Sequence, residues 1–135
     1  MTDAPSPAFA SGAPKRLLRL EALVVLVAAI GFYWFHAGGL IGWWGFLIFF
    51  APDLSIAAYA VGPKFGAGVY NAAHTYLAPV ALAAIAALPR EPTGWLLPCA
   101  ILWVGHIGMD RTLGFGLKYS TSCADTHLGR IGRGS

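Results

Sequence analysis

The sequence predicts an all-α integral membrane protein, an antiparallel four-helix bundle with both termini on the cytoplasmic side. The chain of 135 residues is 57% hydrophobic and only 11% charged, whereas soluble domains average about 25% charged residues. Four apolar runs follow one another, and each approaches the roughly 20 residues that cross a bilayer as a helix. Short polar breakers separate these runs, and the basic residues gather at one end of them.

The first span follows a short basic segment. Residues 1–14 are polar, small and proline-rich, which predicts a disordered leader. Three basic residues between positions 15 and 19 precede an apolar run over residues 22–35. Basic residues before a short apolar run also occur in signal peptides, but the further runs downstream favour a first helix that is retained.

Proline, glycine and polar breakers set the other three spans. The second runs from about residue 40 to 61 and ends in a loop at 62–66. The third runs from about 69 to 88, and the proline-rich segment 89–94 separates it from the fourth, at about 95–113. We therefore assign residues 15–119 to a transmembrane domain and residues 120–135 to a cytoplasmic basic tail. Short loops between the spans predict antiparallel packing.

The distribution of basic residues predicts the orientation in the membrane. Eight of them fall on the side of both termini, and only Arg90 falls on the other side. The eight are Lys15, Arg16, Arg19, Lys64, Arg111, Lys118, Arg130 and Arg133. Such a bias places that side in the cytoplasm. Because the sequence has no basic stripe with interleaved aromatic residues, its net charge of +3 does not indicate nucleic-acid binding.

Nine hydrophilic residues lie in or beside the apolar spans, nearly all toward the cytoplasmic side. They are Glu21, Asp53, Asn71, His74, His106, Asp110, Arg111, Asp125 and His127. Ionisable groups are costly in a bilayer, so several at similar depth indicate a site. At 1.5 Å per residue, Asp53 lies about 12 Å and His74 about 8 Å from the cytoplasmic end of its span. The fourth span returns to that side with His106 and Asp110, so three helices direct acidic or imidazole groups into one pocket.

Spacing along the helices gives this pocket a specific chemistry. Asn71 and His74 are three residues apart and His106 and Asp110 four apart, so each pair shares a helix face. Imidazole and carboxylate groups are ligands of divalent metal ions. We therefore predict a divalent ion of unknown identity bound by Asp53, His74, His106 and Asp110, with Asn71 in support.

Four further residues are candidates for catalysis. Asp125 or His127 would act as a general base if the tail folds back over the pocket. Arg111 and Lys118 would hold a phosphate or carboxylate group of the substrate. A metal that lowers the pKa of bound water would complete the machinery of a hydrolase.

Structural roles are the alternative for several of these residues. Asp53 follows Pro52 and is suited to cap a helix that restarts after the proline. His74 and His106 are suited to hydrogen-bond across helices, or to bind a haem iron as an axial pair. Hydrophilic neighbours in both spans disfavour the haem pocket. The Asp-Arg pair at 110–111 is also typical of a membrane edge.

Five stretches of the chain resemble a single family. They are residues 51–55, 70–76, 105–111, 113–119 and 125–129. They resemble a family of small bacterial membrane proteins catalogued as domain of unknown function 4260, over about residues 16–132. The resemblance implies a bacterial integral membrane protein and brings no established activity. Together with the four predicted spans and their orientation, it leads us to expect a multi-pass protein of the bacterial cytoplasmic (inner) membrane. A fainter similarity to membrane-bound metal-dependent hydrolases, which also carry His and Asp near helix ends, does not by itself transfer an activity.

Two functions from different classes follow from these observations. The first is a metal-dependent hydrolase acting on a lipid or another amphiphile at the cytoplasmic leaflet. The second is a non-enzymatic accessory or structural subunit that binds a membrane-protein partner or further copies of itself. In that case Gly38, Gly39, Gly42 and Gly45 offer small surfaces for close helix contact. Metal content would favour the first function, and co-purification with a larger complex the second.

Overall fold

The computed structural model is almost entirely helical over the residues that it describes, 9–37, 42–88 and 94–132. Its elements are α1 (Gly12–Ala37), α2 (Trp44–Phe50), a 3₁₀ helix (Ala51–Ala60), α3 (Pro63–Ala73), α4 (Leu77–Ala86), α5 (Leu96–Leu113), β1 (Asp125–Thr126) and β2 (Gly129–Arg130). The predicted all-α class is confirmed, because the strands in the described part of the chain form one short hairpin of two residues each.

Helix α1 is the longest element. Its 26 residues extend about 39 Å at 1.5 Å per residue, more than the roughly 30 Å of a bilayer's hydrocarbon core. Among the described helices, the stretch Gly12–Phe35 alone has both the length and the apolar composition to cross a membrane. The helix begins inside the predicted leader of residues 1–14, and residues 1–8 of that leader lie outside the described residues.

The second predicted span is a helix that changes type at a proline. Helix α2 passes directly into the 3₁₀ helix, and the two together cover Trp44–Ala60. Pro52 has no N–H to bond a carbonyl four residues earlier, and its ring crowds that carbonyl. The N–H of Ala51 already bonds the carbonyl of Ile48, which is the three-residue spacing of a 3₁₀ helix. Asp53 therefore lies in the first turn of the tighter helix.

The third predicted span is divided into two helices. Helix α3 ends at Ala73, His74 follows as its cap with φ −108° and ψ 14°, and α4 begins at Leu77. Pro79 lies in the first turn of α4, and a proline there crowds the carbonyl four residues earlier. His74 thus lies at the break between two helices, where its N–H still bonds the Tyr70 carbonyl at 2.9 Å but its φ and ψ leave the helical range.

The loop predicted at 62–66 is shorter than expected. Helix α3 already begins at Pro63, and proline is favourable at a first helical position because its missing N–H has no partner to lose. Gly62 makes the turn with φ 148°, a conformation that glycine adopts most easily. Within α3, a Cβ at Gly66 would lie 2.7 Å from the Cα of Tyr59. The 3₁₀ helix and α3 therefore form a close hairpin that needs glycine at this position.

Small residues bring α1 and α5 together. A Cβ at Gly108 would lie 3.0 Å from the carbonyl oxygen of Ala22, and one at Gly105 would lie 3.3 Å from the Cβ of Ala29. As α5 advances from 105 to 108, its partners on α1 recede from 29 to 22, so the two helices run antiparallel. Glycine and alanine at helix crossings allow such close approach of the backbones.

Other glycines had been predicted for close helix contact. Of these, Gly45 lies against α1, since a Cβ there would lie 2.8 Å from the hydroxyl of Tyr33. Gly38 and Gly39 lie outside the described residues. The close packing of α5 thus depends on glycines of its own, at 105 and 108, whose role the sequence interpretation missed.

The C-terminal tail folds back along the end of α5. Gly114 ends the helix with φ 97°, in the left-handed conformation usual for a C-terminal glycine. The N–H of His127 then bonds the carbonyl of Leu117 at 3.0 Å, and the N–H of Ala10 bonds the carbonyl of His127 at 2.9 Å. The hairpin of the tail is thereby attached both to the chain after α5 and to the segment before α1.

Candidate metal centre

Four donor atoms from three parts of the fold converge on one point. Nε2 of His106 lies 3.3 Å from Nε2 of His74 and 3.4 Å from Oδ1 of Asp53. Nε2 of His74 lies 3.5 Å from Oδ1 of Asp53 and 3.4 Å from Oδ2 of Asp110. The His106 to Asp110 separation is 3.9 Å, and all four donor atoms lie within 4.8 Å of one another. The structure thus brings together the four residues predicted to bind a metal.

These separations fit the coordination shell of a small divalent ion. Nitrogen and oxygen ligands lie about 2.0–2.2 Å from zinc in a tetrahedral site, so the edges of the tetrahedron measure about 3.3–3.6 Å. Four of the six donor separations, between 3.3 and 3.5 Å, fall in that range. The 3.9 Å between His106 and Asp110 is wider. The residues therefore fit a divalent ion after a shift of a few tenths of an ångström.

The centre is closed on three sides and open at Asp53. His106 is 0%, His74 3% and Asp110 6% exposed, whereas 40% of the Asp53 side chain is exposed. A buried carboxylate is costly unless a hydrogen bond or a cation compensates its charge. Two carboxylates that face two imidazoles therefore form an environment that favours a divalent cation.

The ring of His74 is oriented by its neighbour Tyr70. Nδ1 lies 2.9 Å from the Tyr70 carbonyl oxygen; since a carbonyl only accepts, Nδ1 carries the hydrogen and Nε2 keeps its lone pair for the centre. The two rings also stack, with centroids 3.7 Å apart and planes 10° from parallel. A second nitrogen that donates to a carbonyl is the usual arrangement for a histidine that binds a metal.

His106 lies in a different environment. Its Nδ1 is buried and has no hydrogen-bond partner among the described residues. The ring edges instead meet Phe49 and Phe50, with centroids 5.5 and 6.0 Å away and near-perpendicular planes. His106 is thus positioned by aromatic packing and His74 by a hydrogen bond.

Tyr70 is a residue of the site that the sequence interpretation missed. Its hydroxyl donates to Oδ2 of Asp110 at 3.1 Å, so it contacts one predicted ligand through its hydroxyl and another through its carbonyl. The spacing in the sequence could have predicted this contact, because Tyr70 precedes His74 by four residues and so lies on the same helix face.

A cavity of about 360 Å³ opens on the centre. Asp53, Tyr70, Asp110 and Lys118 give it a polar side. The remaining lining is apolar and comprises Ile56, Met109, Leu113, Phe115 and Ile131. A cavity of this size with a polar end and apolar walls suits an amphiphilic ligand.

Lys118 is held in this cavity by aromatic rings and by Asn71. Its Nζ lies 4.2 Å from the ring centroid of Tyr70 and 5.5 Å from that of Tyr59, which are cation–π distances. The amide of Asn71 donates to the Lys118 carbonyl at 2.8 Å and accepts from its N–H at 2.7 Å. Asn71, predicted as a support for the metal ligands, therefore fixes the backbone of the lysine.

The other three predicted catalytic residues do not line this cavity. Asp125 accepts a hydrogen bond from Oγ1 of Thr121 at 2.9 Å, and its carboxylate lies 3.5 Å from Nε of Arg130. Arg111 and His127 line a separate cavity. The tail folds back as the catalytic hypothesis required, but it directs these groups away from the mouth of the metal centre.

The geometry also bears on the alternative roles. Asp53 is not the N-cap of the helix that contains it, because that position belongs to Phe50. Only 3.3 Å separates Nε2 of His74 from Nε2 of His106, which leaves no space for a porphyrin between the two rings. The cluster therefore suits a small ion and not a haem.

Comparison with known protein families gives a match over most of the chain. The model of a family described as a domain of unknown function (DUF4260) matches residues 15–131. No curated protein and no solved structure is detectably similar to the chain. The matched residues include the entire metal centre, Tyr70 and Lys118.

Proposed function

The chain belongs to the DUF4260 family, whose description assigns no activity, and we propose that it is a membrane-embedded, metal-dependent hydrolase of a lipid or another amphiphile. One observation carries the proposal. The donor atoms of Asp53, His74, His106 and Asp110 converge within 4.8 Å of one another at the end of a cavity that also contains Lys118. These four atoms can each donate an electron pair to a cation. The ammonium of Lys118 adds a positive charge that can bind an anionic group of the substrate.

The three buried ligands and the exposed one have different roles in this proposal. His74, His106 and Asp110 hold the ion, which when bound polarises the substrate and lowers the pKa of water. Catalytic sites commonly use three protein ligands and leave one position open. Asp53 faces the cavity, and its carboxylate is the group that accepts the proton of the attacking water. Asp53 thus acts as the general base in this proposal, the role that the sequence analysis predicted for Asp125 or His127.

The reaction consumes one water. Its oxygen forms a bond to the acyl or phosphoryl centre of an ester, the bond to the ester oxygen breaks, and the proton held by Asp53 passes to the leaving alcohol. Lys118 binds the anionic part of the substrate, since its ammonium is fixed 4.2 Å above the ring of Tyr70. Tyr70 holds the Asp110 carboxylate in place throughout.

Apolar space beside the centre supports an amphiphilic substrate. A second cavity of about 390 Å³ is lined by Pro52, Ala73 and Trp103 together with other side chains, most of them apolar. Pro52 and Ala73 directly precede two of the metal ligands in the chain. Trp103 also lies close to the metal ligands, because its indole N–H donates to the carbonyl of Ala73, the residue before His74, at 2.7 Å. A hydrocarbon chain there would leave its polar end beside the metal.

Exposed apolar side chains support a location in the bilayer. Large residues such as Val24, Leu54 and Leu77 are exposed on three different helices, and extensive apolar surface of this kind marks a membrane or protein contact. Only 11% of the most apolar stretch of α1 is buried, unlike the core helix of a soluble protein. Arg19 Nε donates to the Thr112 carbonyl at 2.8 Å, which integrates α1 into the fold and argues against a removed leader.

We accordingly assign the four spans to α1, to α2 with the 3₁₀ helix, to α3 with α4, and to α5. Both termini face the cytoplasm of a bacterial inner membrane, following the excess of basic residues on that side. The metal centre then opens toward the cytoplasmic leaflet. Phospholipids and other amphiphiles of that leaflet would reach the cavity of Lys118.

Metal analysis tests the proposal directly. Protein purified in detergent without chelator would be measured by mass spectrometry beside His74→Ala/His106→Ala. A third sample, His127→Asn, is a matched control because it removes a histidine outside the centre. We expect near-stoichiometric divalent metal in the wild type and in the control, and its loss in the double variant. Absence of metal from the wild type after metal has been added back would reject the hydrolase.

An accessory subunit is the second candidate, and one observation favours it. Trp43 and Trp44 stack on each other with centroids 4.4 Å apart, and both are exposed beside Phe46. Aromatic residues are enriched in protein interfaces as well as at membrane surfaces. Stable co-purification with a membrane-protein partner that is lost in Trp43→Ala/Trp44→Ala would favour this function.

A further inference from the structure

A second polar cavity lies outside the metal centre. It occupies about 160 Å³ between α1, the end of α5 and the turn of the tail hairpin. Its polar lining consists of Glu21, Tyr76, Arg111 and His127, and it shares no lining residue with the cavity of the metal centre. One water needs roughly 10–15 Å³ of such space, so the cavity has room for a polyatomic group.

The guanidinium of Arg111 is oriented in this cavity by a stacking contact, and no described residue accepts a hydrogen bond from it. The guanidinium carbon lies 4.4 Å from the ring centroid of Tyr76, a stacking contact that holds the side chain. The guanidinium makes no hydrogen bond or ion pair within the described part of the chain. A guanidinium offers five N–H donors in a planar fork that matches phosphate and carboxylate oxygens. Stacking on the ring leaves all of those donors available to a ligand.

His127 adds a donor with a defined tautomer. The N–H of Leu117 donates to Nδ1 at 2.8 Å, so the hydrogen of the neutral ring is on Nε2. Burial, with a smaller contribution from the positive charge of Arg111, lowers the pKa of His127 and keeps the ring neutral at pH 7. The ring lies directly over Gly116, where a Cβ would be 2.5 Å from Nδ1. Its position is therefore fixed by the tail itself.

We propose that this cavity binds a phosphate group through the guanidinium of Arg111 and the Nε2–H of His127. Both groups are donors, both are held by contacts that do not use those donors, and both face the same space. Charge-assisted hydrogen bonds from arginine to phosphate are among the strongest in proteins. The rest of the lining includes apolar side chains of α1, at Leu18 and Val25, and the carboxylate of Glu21. The phosphate belongs either to a phospholipid headgroup or to a small soluble molecule, and the two sources share this chemistry.

Binding titrations in a phosphate-free detergent would test the proposal. Full-length protein would be titrated with inorganic phosphate and with short-chain phosphatidic acid, and short-chain diacylglycerol would serve as the ligand without phosphate. The same titrations in His74→Ala/His106→Ala remove the contribution of a bound metal ion, and we expect binding to persist there. Arg111→Gln should weaken phosphate binding by at least about tenfold. His127→Asn, which keeps an acceptor for the N–H of Leu117, should also weaken it.

Arg16→Gln is the matched control, because it removes the same charge from an exposed position on α1, and its affinity should equal that of the wild type. Binding of inorganic phosphate and phosphatidic acid alike supports a site for the phosphate group itself. Binding of phosphatidic acid without inorganic phosphate supports a headgroup site. The proposal is overturned if neither ligand binds, if Arg111→Gln and His127→Asn both bind as the wild type does, or if Arg16→Gln loses as much affinity as Arg111→Gln. Thermal unfolding of each variant shows whether it is folded.

Discussion

Consecutive residues of α5, Asp110 and Arg111, belong to two different polar cavities. Around Asp110, acceptor atoms from three parts of the fold lie within 4.8 Å of one another, and a tyrosine hydroxyl holds the carboxylate. The guanidinium of Arg111 stacks on an aromatic ring, and its donors have no hydrogen-bond partner among the described residues. The four residues of the metal centre therefore offer acceptor atoms suited to a cation, whereas Arg111 and His127 offer donors suited to an anion, in a cavity that Glu21 also lines.

Residues that follow α5 contribute to both cavities. His127 and Leu128 at the hairpin turn line the Arg111 cavity, whereas Lys118 and Ile131 line the cavity of the metal centre. Residues that follow α5 thus line both cavities. Substitutions that act on only one side of α5 or of the tail can establish whether the cavities are independent.

The largest expected effect separates the two neighbours on α5. Asp110→Asn should weaken metal binding by at least about 100-fold, because it removes a carboxylate that binds the metal directly. Loss of a residue that only hydrogen-bonds to a ligand would cost less. Arg111→Gln should leave metal affinity within about twofold, since its side chain lies in the other cavity. Competition with a chromophoric chelator measures both. Equal losses in the two variants would contradict the separation of the cavities.

The next effect tests the close contact beneath His127. In Gly116→Ala the new methyl group would lie 2.5 Å from Nδ1 of His127, so the ring must move. We expect a loss of about 1–3 kcal/mol in the free energy of unfolding, as in other overpacked sites. Gly68→Ala is the control, because nothing lies within 4 Å of a Cβ there. It should be neutral or stabilising by up to about 1 kcal/mol. Unfolding in detergent followed by tryptophan fluorescence gives both values, and a neutral Gly116→Ala would contradict the packing.

A smaller effect concerns the hydroxyl groups of two tyrosines. Tyr70→Phe removes the donor to Asp110 and should weaken metal binding about tenfold, the usual cost of losing a partner of a metal ligand. Tyr59→Phe removes a buried hydroxyl that has no partner among the described residues, so metal affinity should not change. The chelator competition assay applies again. A wild-type affinity in Tyr70→Phe would show that the hydroxyl does not support the centre.

The smallest effect is a dependence of stability on pH. Burial lowers the pKa of His127 below its ordinary 6.5, so the unfolded chain binds a proton at higher pH than the folded one does. His127 therefore contributes stability above pH 6.5, and that contribution falls as the pH drops through the folded pKa. Melting temperatures of the wild type and His127→Asn at pH 5 to 8 measure the difference. The variant should lose less stability on acidification, and parallel curves would refute this contribution.

Much of the metal centre was predictable because it depends on depth along helices. Asp53, His74, His106 and Asp110 were chosen from the order of apolar spans and the fixed rise of an α-helix. That estimate tolerates an error of several residues in each boundary. It succeeded although the second span changes to a 3₁₀ helix at Pro52 and the third is broken at His74.

Other features were not predictable in this way. The hydroxyl of Tyr70 and the aromatic contacts of Lys118 depend on which side chains meet across elements, and no spacing within one helix specifies that. The close packing of Gly108 on Ala22 depends on the rotation of α1 and α5 about their axes. The tail was expected to supply a base to the metal centre, but its hydrogen bond to Leu117 directs His127 into the other cavity.

The sequence by itself determined the all-α class, the order of the apolar segments and the chemistry of the four converging residues. These follow from composition and from distances along a helix axis, which are local properties. The tertiary structure alone decided which polar group enters which cavity. Neighbours such as Asp110 and Arg111 have nearly the same depth but point about 100° apart around the helix, at 3.6 residues per turn. Their partners are therefore set by the packing of the whole fold around α5.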